Sequence, residues 1–168
     1  MIVFITGLPG AGKSTIGKKT AKELGWDFYE VDDALSKEMK KHISEGVLLT
    51  STELDEWLLI NVGEMFSVYE NNSKNLVVAG MSGYRQHKEQ LLERFPSLRY
   101  VTLVVPYEVL KERVSTRKHF AGSNILKQCW EGKDDVYAFG VGVDAEQDID
   151  AVVSDCTALV RSFMLMEG

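Results

Sequence analysis

The chain has 168 residues, of which 45% are hydrophobic and 26% charged, and its formal net charge is −6. This length fits one domain, or one core with a small lid, and the composition is that of an ordinary soluble protein. An acidic chain lacks the basic surface that non-specific nucleic-acid binding needs, and no stretch approaches the roughly 18 apolar residues of a membrane span. The two cysteines, Cys129 and Cys156, form no metal-binding or redox spacing, which favours reduced packing residues and a cytoplasmic location.

Apolar runs, capping residues and helix breakers predict that strands and helices alternate along the chain. Strands are predicted at about 2–6, 26–31, 76–79, 99–105 and 136–141. Helices are predicted between them at about 13–24, 34–44, 50–69 and 85–95, and the third of these begins at a capping box formed by Thr50 and Glu53. Further helices are predicted from 106 to about 116, as a short helix that ends at about 131, and at 145–165. The alternation predicts an α/β fold, in which a five-stranded parallel sheet is covered by helices on both faces. Ligands of such sheets bind beyond the carboxyl ends of the strands, so the polar residues there are candidate site residues.

The residues between the first strand and the first helix match the phosphate-binding P-loop. The segment Gly7–Thr15 reads Gly-Leu-Pro-Gly-Ala-Gly-Lys-Ser-Thr and satisfies Gly-x-x-x-x-Gly-Lys-[Ser/Thr] at each fixed position. In this motif backbone N–H groups surround the phosphates, the lysine contacts the β- and γ-phosphates, and the hydroxyl binds Mg²⁺. A chance glycine-rich turn is the alternative, but a strand before the motif and a helix after it are the context that a P-loop requires. We therefore predict a catalytic role for Lys13, metal binding by Ser14, and nucleotide binding by Gly7, Pro9, Gly10, Ala11, Gly12, Lys13, Ser14 and Thr15.

Two adjacent carboxylates, Asp32 and Asp33, follow the second predicted strand. A carboxylate at this place can accept a proton from an attacking hydroxyl or hold a water molecule bound to Mg²⁺. The third strand ends without an acidic residue, so the carboxylate on the metal side must come from elsewhere, which favours Asp32 as a catalytic residue. The alternative is that the pair caps the helix that follows.

Two arginines near the end of the helix after Pro106, Arg113 and Arg117, lie one helical turn apart. The polar and basic stretch at 116–124 is predicted to be a mobile lid, whose guanidinium groups can close over the γ-phosphate and neutralise its developing charge. Arg117 is therefore a predicted catalytic residue and Arg113 a predicted nucleotide-binding residue. The alternative is a solvated basic helix end, which the helix dipole favours.

The loop after the third strand, Gly80–Arg85, is the predicted acceptor side of the site. Gly80 permits close approach of a substrate, and Arg85 can bind a substrate carboxylate or phosphate. A plain turn followed by a surface arginine is the alternative. The histidines, His42, His87 and His119, show no spacing typical of a metal site.

Three further segments carry a family resemblance. The first runs from His42–Thr50 to Trp57-Leu58, the second joins Arg117–Phe120 to Ile125–Gln128, and the third is Val141–Asp144. The first is similar to the Lys-Met-x-x-Gly-x-Pro-Leu-x-Asp…Trp-Leu stretch of the gluconokinases. The second resembles their Arg-Lys-Gly-His-Phe lid and the Leu-Leu-x-Ser-Gln run behind it, and the third their Val-Asp-x-Asp stretch near the adenine pocket. The chain thus resembles the small P-loop kinases of the shikimate kinase and gluconokinase group, most closely gluconokinase.

The resemblance implies ATP and Mg²⁺ as cofactors, phosphoryl transfer to a hydroxyl of a sugar acid, and commonly a homodimer. Asp32 falls on the acidic substrate-binding position of the family, and Arg117 falls on its lid arginine. Two positions differ from the family pattern. Asp-x-x-His reads Asp32-Asp33-Ala34-Leu35 here, and Cys-Ser-Ala-Leu-Lys reads Ala79-Gly80-Met81-Ser82-Gly83, so a histidine and a lysine that would face the acceptor are absent.

We therefore expect a single P-loop kinase domain over residues 1–168, with a lid at about 116–124. It is expected to transfer the γ-phosphate of ATP to a small, anionic, polyhydroxylated acceptor similar to gluconate, without a nucleic-acid or membrane partner. Two alternatives stay open. One is a kinase for nucleoside monophosphates or another metabolite on the same fold, and the other is a nucleotide-binding regulator without acceptor chemistry.

Overall fold

The computed structural model describes residues 1–116 and 122–167. Five parallel strands form one sheet, as the sequence predicted, and their order in the sheet is β2-β3-β1-β4-β5. The strands are β1 (Ile2–Gly7), β2 (Asp27–Glu30), β3 (Leu76–Ala79), β4 (Leu98–Val104) and β5 (Gly140–Asp144). The helices are α1 (Lys13–Leu24), α2 (Lys37–Ser44), α3 (Ser51–Leu54), α4 (Gly63–Asn71), α5 (Arg85–Arg94), α6 (Tyr107–Thr116), α7 (Ser123–Glu131), α8 (Lys133–Tyr137) and α9 (Ile149–Glu167). None of these helices is long and apolar enough to cross a membrane.

Helices cover both faces of the sheet around the central strand β1, which is buried throughout. Phe4 packs against Phe66 of α4, with 6.3 Å between the ring centroids. Ala79, the register partner of Ile5, lies so close to Gly17 of α1 that a Cβ on this glycine would be 2.9 Å from the alanine Cβ. Successive residues of a strand face opposite sides, so α4 and α1 lie on opposite faces. This double cover explains why β1 and β3 are continuous apolar runs.

The helical run from 51 to 71 begins at the predicted capping box. The Glu53 N–H donates to the Thr50 hydroxyl at 3.3 Å, and the Thr50 N–H donates to the Glu53 carboxylate at 2.8 Å. Between α3 and α4 the segment Asp55–Val62 is π-helical, which the sequence did not predict. Arg94 of α5 donates to the Leu59 carbonyl of this segment at 3.0 Å, and so satisfies one backbone acceptor there.

The predicted strand at 136–141 is wrong in its bounds, because α8 occupies Lys133–Tyr137 and β5 begins only at Gly140. Phe139 has a φ of 62°, which breaks the extended backbone between the two elements. The buried ammonium of Lys88 fixes this connection, since it donates to the carbonyls of Val136 and Ala138 at 2.5 and 3.0 Å. A long-range contact of this kind leaves no local signal in the sequence.

Two helices begin later than predicted, because side chains further along the chain cap them. The Ser36 hydroxyl accepts from the Met39 N–H at 3.1 Å, so α2 begins at Lys37 and not near 34. The Asp148 carboxylate accepts from the N–H groups of Asp150 and Ala151, each at 3.1 Å, and α9 begins at Ile149 and not near 145.

Candidate active site

The P-loop joins the carboxyl end of β1 to the first residue of α1. Gly10 has a φ of 86° and Gly12 a φ of 92°, a left-handed conformation that other residues rarely adopt. Gly12 is the N-cap residue of α1, and among the described residues no side chain forms a capping hydrogen bond with the backbone there. The first N–H groups of α1 are therefore directed at the space inside the loop, where the helix dipole favours an anion.

The ammonium of Lys13 lies within this loop. Its Nζ donates to the Leu8 carbonyl at 3.0 Å. Burial lowers the pKa of Lys13, and the nearby groups Asp32, Cys129 and Glu30 oppose that effect. An anion held by the P-loop backbone would favour the charged ammonium in the same way as the carboxylates do.

Two carboxylates approach the P-loop from the end of β2. The Ser14 hydroxyl lies near the carboxylate of Glu30, the last residue of β2. Burial raises the pKa of Glu30, and the nearby Ser14 hydroxyl opposes that rise. Asp32 lies in the 3₁₀ turn Val31–Ala34 that follows, and its charge acts on both Lys13 and Glu30. Sequence reasoning identified Asp32 but missed Glu30, although the last residue of a parallel strand is a frequent site position.

Gly80, directly after β3, lets the sheet end come close to these carboxylates. A Cβ on Gly80 would lie 2.1 Å from Cγ2 of Val31, and 3.4 Å from both Oδ1 of Asp32 and Oε1 of Glu30. Its φ of 145° also disfavours any other residue. Asp33 is exposed, and Ser36 caps α2, so the alternative that the aspartates cap this helix is wrong.

On one side of the P-loop, Arg113 of α6 joins the loop to the end of β5. Its guanidinium donates to the Gly10 carbonyl at 3.5 Å and to the Ala145 carbonyl at 3.2 Å. A cavity of about 220 Å³ lies here, with Thr15, Gln147 and Ile149 also in its lining. Arg113 thus lies beside the P-loop, where the sequence predicted a nucleotide contact.

Two smaller cavities lie near the loop after β3. One, of about 20 Å³, is lined by Gly7, Leu8 and Pro9 of the P-loop and by the segment 81–83. The other, of about 70 Å³, shares Met81, Gly83, Cys129 and Val136 with the first. Arg85 lines neither cavity, and its guanidinium lies 5.4 Å from the ring centroid of Phe139.

Arg117 and most of the predicted lid, residues 117–121, lie outside the described residues. Within 1–116 and 122–167, no three histidine, cysteine, aspartate or glutamate side chains converge on a common metal position.

A family model described as an AAA domain, AAA_18, matches residues 3–130. Among curated proteins, the chain is 28% identical to a probable gluconokinase of Xenopus tropicalis, in an alignment that covers 100% of this chain and 98% of that protein. This alignment spans the P-loop and all three segments that carry the sequence resemblance.

Solved structures share the fold. The crystal structure of a sugar kinase from Janibacter sp. HTCC2649 has a TM-score of 0.85 and 25% identity, and the match covers 95% of this chain and 94% of that one. The crystal structure of a gluconokinase from Sinorhizobium meliloti 1021 has a TM-score of 0.81 and 28% identity, and covers 98% and 94% of the two chains.

Proposed function

We propose, from the premise that the chain belongs to the AAA_18 family of AAA domains and is a gluconokinase-like P-loop kinase, that it transfers the γ-phosphate of ATP to a hydroxyl of a sugar acid similar to gluconate. The observation that carries this proposal is the convergence of Lys13, Ser14, Glu30 and Asp32 at the carboxyl edge of the sheet. A cation, a hydroxyl and two carboxylates are the groups that phosphoryl transfer requires.

The nucleotide binds along the P-loop in this proposal. The backbone of Gly7–Thr15 and the Lys13 ammonium hold the phosphates, and the 220 Å³ cavity beside Arg113 receives the nucleoside. Support comes from Gly10 and Thr15, which belong both to the P-loop and to the lining of this cavity.

Mg²⁺ fits the groups present near Ser14. A hydroxyl and carboxylates are the hard oxygen donors that Mg²⁺ prefers, and this ion commonly keeps several water and phosphate ligands. A site with few protein ligands is therefore sufficient, in agreement with the lack of a three-residue cluster among the described side chains. We propose that Ser14 holds the ion directly and that Glu30 and Asp32 hold its water molecules. When bound, Mg²⁺ neutralises charge on the phosphates.

Asp32 positions the acceptor hydroxyl and accepts its proton, and Arg117 approaches the γ-phosphate from the lid at about 116–124. The acceptor lies on the side of the P-loop where Gly80 and the loop up to Arg85 follow β3. Because the transition state of phosphoryl transfer is loose, these residues act mainly by positioning and by charge stabilisation.

The experiment is an ADP-release assay with ATP, Mg²⁺ and three acceptor types: gluconate, related aldonates and nucleoside monophosphates. We expect transfer to a sugar acid, with product identified by mass. Efficient transfer to a nucleoside monophosphate together with no reaction of any sugar acid would contradict the proposed acceptor.

The remaining proposals concern the whole chain. We propose that residues 1–168 form one kinase domain, that it works as a homodimer as the resemblance implies, and that it acts in the cytoplasm. The buried free thiols of Cys129 and Cys156 support a reducing compartment. Light scattering at micromolar concentration tests the dimer.

A further inference from the structure

We propose that the acceptor site ends in an apolar subsite, so that the acceptor is a sugar-acid derivative with an uncharged, apolar substituent at the end remote from the reacting hydroxyl. The subsite is the 70 Å³ cavity between the α2–α3 loop, the loop after β3, and α7–α8. The inference rests on the proposed phosphoryl transfer and narrows its acceptor.

The position of this cavity makes it continuous with the site. It shares Met81, Gly83, Cys129 and Val136 with the small cavity that touches Gly7–Pro9. A hydroxyl that receives a phosphoryl group must lie next to the P-loop, because Lys13 holds the phosphates there. The remote end of the same molecule then points along the shared wall into the larger cavity.

The cavity is lined mainly by hydrocarbon and sulfur atoms. The apolar side chains are Leu48, Leu49, Leu54, Met81, Cys129 and Val136. Such a surface binds alkyl or aryl groups by removing them from water, and the polar side chains of Tyr84, Gln128 and Asp135 are a minority of the lining.

Gln128 and Asp135 of the lining do not favour a carboxylate. The Gln128 amide nitrogen donates to the carbonyls of Gly46 and Asn124 at 3.0 and 3.3 Å, so its N–H groups are already used. Asp135 carries a negative charge, which repels an anion. No lysine or arginine belongs to this lining among the residues that the structure describes, and the nearby Arg85 packs over Phe139.

The test is a series of acceptors that differ only in the remote end: gluconate and its N-methyl, N-propyl and N-pentyl amides. Each methylene that enters an apolar site improves binding by about fourfold. We therefore expect kcat/KM to rise from the methyl to the propyl amide and to exceed the value for gluconate. A flat or falling series, with gluconate the best acceptor, overturns the apolar subsite and leaves the proposed function intact.

A matched pair of variants locates the subsite. Leu48→Lys places a cation in the lining, whereas Val47→Lys makes the same change at a neighbouring side chain that is 51% exposed and outside the lining. We expect Leu48→Lys to lower the ratio of kcat/KM for the propyl amide to kcat/KM for gluconate at least tenfold, and Val47→Lys to leave both values unchanged. Equal effects of the two variants overturn the assignment of the cavity. Met81→Gln repeats the test without a new charge, and thermal unfolding verifies that each variant is folded.

If no acceptor is phosphorylated, the proposed function fails, and a binding measurement decides the inference separately. Calorimetric titration of the propyl amide is then made in the presence of a non-hydrolysable ATP analogue. Binding that Leu48→Lys weakens and Val47→Lys does not weaken supports the subsite, and absence of binding to the wild-type protein overturns it.

Discussion

The indole N–H of Trp57 donates a 2.9 Å hydrogen bond to the carbonyl of Val31, the residue before Asp32. Both residues are fully buried, and Trp57 lies in the π-helical segment Asp55–Val62. The bond fixes the start of the 3₁₀ turn that carries Asp32. Trp57 thus acts on the site through the backbone of Val31 and is a positioning residue.

Trp57→Phe keeps most of the apolar volume but leaves the Val31 carbonyl without its donor. We expect a loss of about 1–3 kcal/mol in the free energy of unfolding, the cost of a buried polar group without a hydrogen bond. We also expect kcat to fall at least tenfold, because the turn that carries Asp32 loses its anchor. Urea unfolding and steady-state kinetics measure the two effects. Phe66→Leu, a change at another buried aromatic residue, should lower stability and leave kcat unchanged. Unaltered kcat in Trp57→Phe would reduce Trp57 to a packing role.

Lys13→Ala should lower kcat by at least ~10²-fold, the scale of losing one preorganised electrostatic contact to the reacting group. Stability should not decrease, because Lys13 pays a desolvation cost in the folded chain. Lys22→Ala is the matched control, since it removes the same charge from the exposed far end of α1. Near-normal turnover of the Lys13 variant would remove the P-loop assignment.

Asp32→Asn and Asp33→Asn are identical changes at adjacent positions. The Asp32 variant should lose most of its activity with a modest change in ATP affinity, because Asp32 faces Glu30 and Lys13 at the edge of the P-loop. The Asp33 variant should keep its activity and also its stability, because Asp33 is exposed and Ser36 caps α2. Comparison of kcat and of thermal stability tests both statements, and the reverse ranking would place the wrong aspartate in the site.

The two arginines of the nucleotide side should separate in kinetics. Arg117→Ala should lower kcat far more than it weakens ATP binding, because a lid arginine acts as charge develops on the γ-phosphate. In GTPases this role contributes ~10³–10⁵ in rate, and we expect the low end of that range or less. Arg113→Ala should chiefly raise KM for ATP, since Arg113 shapes the cavity beside Gly10. A change of under ~3-fold in kcat, less than ~0.7 kcal/mol, would remove Arg117 from the active site.

The buried Lys88 should give the stability a distinct pH dependence. Burial lowers the pKa of Lys88 from 10.5 to about 8, with Asp135 opposing and Arg85 adding to the effect. Between about pH 8 and pH 10.5 the unfolded chain therefore binds more protons at this residue than the folded chain, and the stability that Lys88 contributes rises with pH. Below about pH 8 both states are protonated and the contribution is constant.

Lys88→Met isolates this effect. The free energy of unfolding of the wild-type protein, minus that of the variant, should increase across this window by at most about 1.4 kcal/mol per pH unit. The thiols of Cys129 and Cys156, whose pKa values burial raises to about 11 and about 12, act with the opposite sign. They are present in both proteins and cancel in the difference. A pH-independent difference would contradict the burial of a titrating ammonium.

The sequence predicted the features whose signals are local. The P-loop, the capping box at Thr50 and the buried strand β1 each depend on neighbouring residues, and the structure agrees with them at these positions. The predicted fifth strand was misplaced, because Phe139 adopts a positive φ and Lys88 fixes the backbone around it from a distant helix. Neither the positive φ of Phe139 nor the hydrogen bonds of Lys88 can be predicted from the local propensity of the sequence.

The site was predicted in part for the same reason. Asp32 was identified because it follows the predicted strand at 26–31, whereas Glu30 lay inside that predicted strand and was recognised only when the structure ended β2 there, beside Ser14. The proposed apolar subsite combines Leu48, Met81 and Val136 from three distant segments. A single sequence shows each of them as an ordinary core residue.

The π-helical segment Asp55–Val62 has a consequence for deletions in the chain. Leu54, Leu58, Val62 and Phe66 are all buried at steps of four residues, although each such step on a regular α-helix rotates the side chain by about 40°. The wider turns offset that drift and keep one straight buried row. Loss of a single exposed residue there, such as Glu56 or Asn61, would let the backbone return to regular α-helical bonding. The tighter α-helical turns would restore most of the rotation that the missing residue had supplied, so that Leu54 would keep its place beside the cavity lined by Met81 and Val136.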